Sequence, residues 1–125
     1  MYDYLILRKD SEYSQYINRS EYKNLFADFH RPEVINSRIV AITVGDDEIR
    51  FIAINCDSNG NYSYSNDLIP NKINLIEIQL PQTAGINVEI KILEMILRIN
   101  ARLSWAIVDN DENLITENSL RPTGG

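Results

Sequence analysis

Between Val88 and Leu103 the polar residues Lys91, Glu94, Arg98 and Arg102 recur at steps of three and four, which gathers them on one stripe of a helix. Val88, Ile92, Met95, Ile96, Ile99 and Leu103 form an apolar face, and Ile90, Leu93 and Leu97 widen it beyond that of an ordinary surface helix. The pattern predicts a helix over 88–102 that the rest of the chain must cover. Asn87 is the expected N-cap after the breaker run 81–85, and Glu89 suits the positive end of the helix dipole. The Glu94–Arg98 pair at i,i+4 is worth only about 0.3 kcal/mol, so burial and not surface pairing holds such a helix.

The segments on either side change period. After the helix, 105–108 reads as a strand, 109–113 as a polar turn and Leu114–Ile115 as a returning strand. Tyr2 to Arg8 is apolar on both alternating faces apart from Asp3, which predicts a strand inside a sheet. From 11 to 29 the spacing of Tyr13, Tyr16, Ile17, Tyr22, Leu25, Phe26 and Phe29 predicts a helix broken near 18–20, with Ser11 and Ser20 as N-caps and Asn18 in a left-handed conformation. The β-branched runs 37–44 and 49–56 flank Gly45-Asp46-Asp47-Glu48 as a hairpin, and Asn59-Gly60 suits a tight turn into a short strand at 62–65. Ile76, Ile78 and Leu80 alternate with Glu77 and Gln79, as in a strand with one wet face.

The resulting order is α+β: a two-layer sandwich of an antiparallel or mixed sheet with two helices on one face. A ferredoxin-like variant supplies the skeleton, with 61–80 as a β insertion and a C-terminal hairpin. One domain over 1–115 is expected, followed by a polar, flexible tail at 116–125.

Composition narrows the function. The chain has 125 residues with 44% hydrophobic, enough for a core without metal or disulfide support. Its net charge of −6 argues against nonspecific binding to nucleic acid or to an anionic membrane and favours a basic partner. A lone cysteine, Cys56 beside Ile52 and Ile54, predicts a buried strand thiol. With neither a membrane-length apolar run nor a signal-peptide pattern, the expected location is the cytoplasm.

Recognised chemistry is sparse. His30 is the sole imidazole, and it sits where a helix C-terminus favours its cation. Asp109, Asp111 and Asn113 match the opening positions of a calcium loop, but Leu114 and Leu120 stand where that loop needs its glycine and its bidentate carboxylate. Asp57, Asn59 and Asn61 fail in the same way at Tyr62, so both stretches read as Asx turns. The five glycines form no phosphate-cradling spacing. No cofactor, metal or catalytic residue is therefore expected. The sequence points to a small acidic, non-enzymatic protein that binds and neutralises another, basic protein, as immunity or antitoxin-type inhibitors do. Its expected binding residues are Asp46, Asp47, Glu48, Asp109, Asp111 and Glu112 of the acidic turns, with Tyr62 and Tyr64 as aromatic contacts. The alternatives are a small-molecule-binding or metabolic homodimer with a cleft formed by the sheet and 61–80, or an acidic secretion chaperone.

Overall fold

The computed structural model describes residues 4–29, 32–35, 39–57, 59, 62–63, 72–81, 85–109, 111 and 113–115. Its strands are β1 (Tyr4–Arg8), β2 (Glu33–Val34), β3 (Ile39–Val44), β4 (Asp47–Cys56), β5 (Tyr62–Ser63), β6 (Leu75–Gln79), β7 (Ala106–Val108) and β8 (Leu114–Ile115). Two helices, α1 (Arg19–Asn24) and α2 (Ile86–Leu103), complete a small α+β fold. The sheet runs β2-β3-β4-β6-β1-β7-β8, with β5 pairing the end of β4, and the described ladders are all antiparallel.

Alternation along these strands builds the core. Ala53, Ile76, Leu7, Ile107 and Ile115 are successive partners across β4, β6, β1, β7 and β8. Val40, Phe51, Ile78 and Leu5 form the next such row. These residues share one buried cluster with Tyr22, Leu25 and Phe26 from α1 and its exit, and with Ile92, Leu93, Met95, Ile96 and Ile99 of α2. Lys91, Glu94, Arg98 and Arg102 are exposed, as the stripe on the sequence requires. Strand β1 lies between β6 and β7, inside the sheet as its two apolar faces predict.

Several expectations need correction. The helix expected over 11–29 is six residues long. Upstream, the Asp10 carboxylate accepts from the backbone of Glu12 and Ser14 and from the Ser14 hydroxyl, while Tyr13 takes a left-handed φ of 56°. Those local bonds offer the backbone an alternative to helix. Ile17 then bridges to Ile73, which uses its backbone groups in strand-like pairing. The cap is neither Ser11 nor Ser20: extended Asn18 forms a capping box with Glu21. Likewise α2 begins at Ile86 with Gly85 as an N-cap lacking a side-chain bond, so Asn87 falls inside the helix.

The largest correction concerns 61–80. This stretch holds β6, which sits between β4 and β1 near the middle of the sheet, and is not a peripheral insertion. Central placement follows from Ile76, Ile78 and Leu80, which are buried in the main cluster, and from Leu75, which is buried on the other side with Ile54 and Cys56. The ladders place β6 and β7 antiparallel on either side of β1, and they do not establish the split βαβ pairing of a ferredoxin-like fold.

Tyr22 is fully buried, and its hydroxyl donates to the Phe51 carbonyl at 2.9 Å. Burial raises its phenol well above the ordinary value of 10.0. A raised folded-state pKa adds stability that is complete below the unfolded value and is lost as pH rises beyond it. Tyr22→Phe removes that buried hydrogen bond and is expected to cost about 1–2 kcal/mol at neutral pH. The deficit relative to wild type should shrink above about pH 10, where ionisation of the unfolded tyrosine weakens wild type alone. Urea midpoints at neutral and alkaline pH check this, and a constant difference would refute it.

Candidate functional site

The two acidic turns are hairpin tips at one end of the sheet. Val44 and Asp47 are ladder partners, leaving Gly45 and Asp46 as a two-residue connection in which Gly45 has a φ of 63°. A Cβ at Gly45 would also stand 3.3 Å from Val88 Cγ2, so the start of α2 lies against this tip. The second tip joins β7 to β8, where Asp109 Oδ1 accepts from the backbone N–H of Asp111 and of Asn113, each at 2.9 Å. Asp57 Oδ1 accepts from the Asn59 N–H in the same manner. Both stretches are thus Asx turns, as their sequences predict.

Chain direction points both tips the same way. From β4 through β6 and β1 to β7 there are three antiparallel steps, so β7 ends where β4 begins. Across the sheet four strand spacings, about 19 Å, separate the two hairpin axes, and the second tip is also set back along the strands, since Val108 stands level with Ile52, five residues along β4 from Asp47. Asp46, Glu48 and Asp111 are exposed, and Asp47 and Asp109 are half-buried. Glu48 pairs with Arg50 at 3.3 Å in an open setting, a contact worth little in water. Lys91 lies in a cleft beside Gly45 and moderates the field there. Because the tips stand farther apart than the Debye length of about 8 Å at physiological salt, each acts locally on contact and their fields add mainly at low salt.

Other candidate residues fall elsewhere. Tyr62 pairs with Cys56 at the far end of β4, nine residues of strand, about 30 Å, from Asp47 at the first tip. Tyr64, Glu112, His30 and the tail at 116–125 lie outside the described residues. Cys56 is buried, as expected, and burial pushes its thiol up, which disfavours the nucleophilic thiolate. Among the described residues no group of three metal-ligating side chains converges. None of their helices is long and apolar enough to cross a membrane.

Two features escaped the sequence. One is an open cleft of about 370 Å³ lined by residues that include Tyr16, Glu21, Asn24, Arg102 and Trp105. Arg102 is engaged there by the Asn24 carbonyl and the Asp28 carboxylate. The other is the second face of the sheet, for which the alternation of Glu77 and Gln79 with isoleucines was the available signal. Fold and site together define a small α+β protein with an antiparallel sheet and acidic hairpin tips. No protein-family model, curated protein or solved structure matches the chain.

Proposed function

We propose that this is a non-enzymatic protein that binds and neutralises a basic protein, in the manner of immunity or antitoxin-type inhibitors, in the cytoplasm. The observation that supports this reading is that Asp46, Asp47 and Glu48 on one turn and Asp109 and Asp111 on another project toward the same end of one sheet. Two turns about 19 Å apart across the sheet, the second set back along the strands, are within reach of one standard interface of roughly 800 Å² per partner. An acidic footprint on a chain of net charge −6 speeds encounter with a cationic surface and can occupy it. We infer also that the two helices cover one face of the sheet, because the strand positions that share their cluster have one parity. A ferredoxin-like variant of this two-layer arrangement is part of the same proposal.

The test begins with capture on the immobilised full chain, identification of the bound protein, and kinetics with both partners purified. Expected is a 1:1 complex whose association slows at least about tenfold between low and physiological salt, and similarly on Asp46→Lys/Asp47→Lys/Asp111→Lys. Association unchanged by charge reversal would remove the acidic tips from the interface. The cleft beside Trp105 favours a second reading, a small-molecule-binding domain. Reproducible thermal stabilisation by a metabolite, abolished by Tyr16→Ala, would decide for it.

A further inference from the structure

The face of the sheet turned away from α1 and α2 carries a transverse row in which Ile52, Glu77, Ile6, Val108 and Leu114 are successive ladder partners, apolar except at Glu77. Ile54 and Leu75 are the next ladder pair on that face, two residues further along β4 and β6. With Cys56 they form a buried cluster separate from the main core. Part of its cover comes from outside the sheet, because Tyr13 packs against this cluster from the loop between β1 and α1.

That loop is fastened at two points and held weakly between them. Arg8 ends β1 opposite Ala106, and Ile17 exchanges both backbone hydrogen bonds with Ile73, each at 2.9 Å. Between 9 and 16 every residue is exposed except Asp10 and Tyr13, which are half-buried. The described bonds within the turn are local: Asp10 Oδ1 accepts from the N–H of Glu12 at 3.0 Å and of Ser14 at 3.1 Å, and the Tyr13 N–H donates to the Asp10 carbonyl at 3.2 Å. Among the described contacts, the Tyr13 side chain ties this turn to the sheet. Its hydroxyl accepts from the buried Arg8 at 3.0 Å, and the guanidinium stands 5.4 Å from the ring centroid. Against that hold stands a backbone cost, since Tyr13 keeps a left-handed φ of 56° that a bulky side chain adopts only under constraint. Undocking relieves it.

We propose that residues 10–14 form a strap that opens as one unit between Arg8 and Ile17, lifting Tyr13 off Ile54 and Leu75 while the main core stays folded. Opening surrenders one half-buried ring and a few solvent-exposed bonds and releases the strain at Tyr13, whereas unfolding surrenders the whole sheet. The device gives this face two surfaces, one capped by Tyr13 and one presenting Ile54 and Leu75. It stands apart from the neutraliser reading, since neither acidic tip takes part.

Native-state hydrogen exchange followed by NMR on the full chain tests the strap. The Glu12 and Ser14 amides report on it, and the amide of Ile76, a ladder partner of both Ala53 and Leu7, reports on global unfolding. Expected for wild type is protection of Glu12 and Ser14 that agrees within about threefold, lies at least about a hundredfold below that of Ile76, and barely changes in urea where that of Ile76 falls steeply. Tyr13→Ala should lower protection about tenfold at Glu12 and Ser14, and by the same factor at Ile76, because a contact made only in the closed state is lost in local and global opening alike. Tyr13→Phe, which keeps the ring and removes the bond from Arg8, gives the same comparison with a smaller fall. Protection at Glu12 and Ser14 that matches Ile76 in size and urea dependence would show that the strap never opens by itself. A fall at Ile76 alone would show that Tyr13 stays docked when the turn opens, and no change at any of the three would show that Tyr13 holds nothing shut. Each of these results overturns the strap.

Discussion

Ile96→Asp is expected to unfold the protein, whereas Lys91→Asp on the same helix costs under about 1 kcal/mol. Ile96 is 0% exposed, within the cluster that joins α2 to the sheet. Loss of its packing alone removes roughly 2–5 kcal/mol, and the carboxylate gains neither water nor a cationic partner in exchange. That sum rivals the whole stability of a domain this size, about 5–15 kcal/mol. Lys91 stands on the exposed stripe and surrenders only screened surface interactions. The sign with pH is specific. Burial raises the introduced carboxyl's folded pKa, so any residual stability of Ile96→Asp is greatest below about pH 4 and falls as pH rises. Urea midpoints followed by circular dichroism decide the matter; similar midpoints for the two variants would mean that α2 does not organise the core.

Asn74→Leu carries the second-largest expected effect, about 2–4 kcal/mol. Asn74 is 8% exposed just before β6, and its side chain acts as a missing piece of strand. Its Oδ1 accepts from the Cys56 N–H at 2.7 Å, and its Nδ2 donates to the Cys56 carbonyl at 2.8 Å. Its own N–H donates to the Ile54 carbonyl at 3.2 Å. Leucine has a similar volume, so the cost arises from orphaning both Cys56 backbone groups and not from a cavity. Loosening the end of β4 should also open Cys56 to alkylation below the denaturant concentration at which wild type reacts. A midpoint within about 0.5 kcal/mol of wild type would show that water replaces the amide without loss.

Strict periods made α2 legible from its sequence. A helix with Ile92, Ile96 and Ile99 on one side and Lys91, Glu94 and Arg98 on the other can satisfy its burial in few ways. Its ends were harder, because the N-terminus relies on the backbone at Gly85 and carries no capping side chain. At the other end Ser104 adopts a left-handed φ of 54° as C-cap. Just beyond it, Asn100 donates to the Trp105 carbonyl and accepts from the Trp105 N–H, a tie between residues that no single-residue preference announces. The same limit explains 11–29. The spacing of Tyr13, Tyr16 and Ile17 mimics a helix, but the Asp10 turn and the pairing of Ile17 with Ile73 win because they satisfy backbone groups by contacts far apart in sequence.

The acidic tips were readable as turns, since Gly45-Asp46 and Asp109 to Asn113 carry their own local geometry. That they point toward the same end was not readable, because it depends on the number of antiparallel steps between β4 and β7. The transverse apolar row was hidden for the same reason. Ile6, Ile52, Val108 and Leu114 come from four separate segments, and only register aligns them.

By itself the sequence determined the α+β class, the long amphipathic helix, the β3–β4 hairpin and the interior position of β1, because period and turn chemistry act over a few residues. Tertiary structure alone decided that β6 is a central strand, that Tyr22 reaches the Phe51 carbonyl and that Asn74 closes the end of β4. Those outcomes depend on which buried polar groups and apolar faces meet across the sheet, and such meetings are set by long-range pairing that local propensity does not encode.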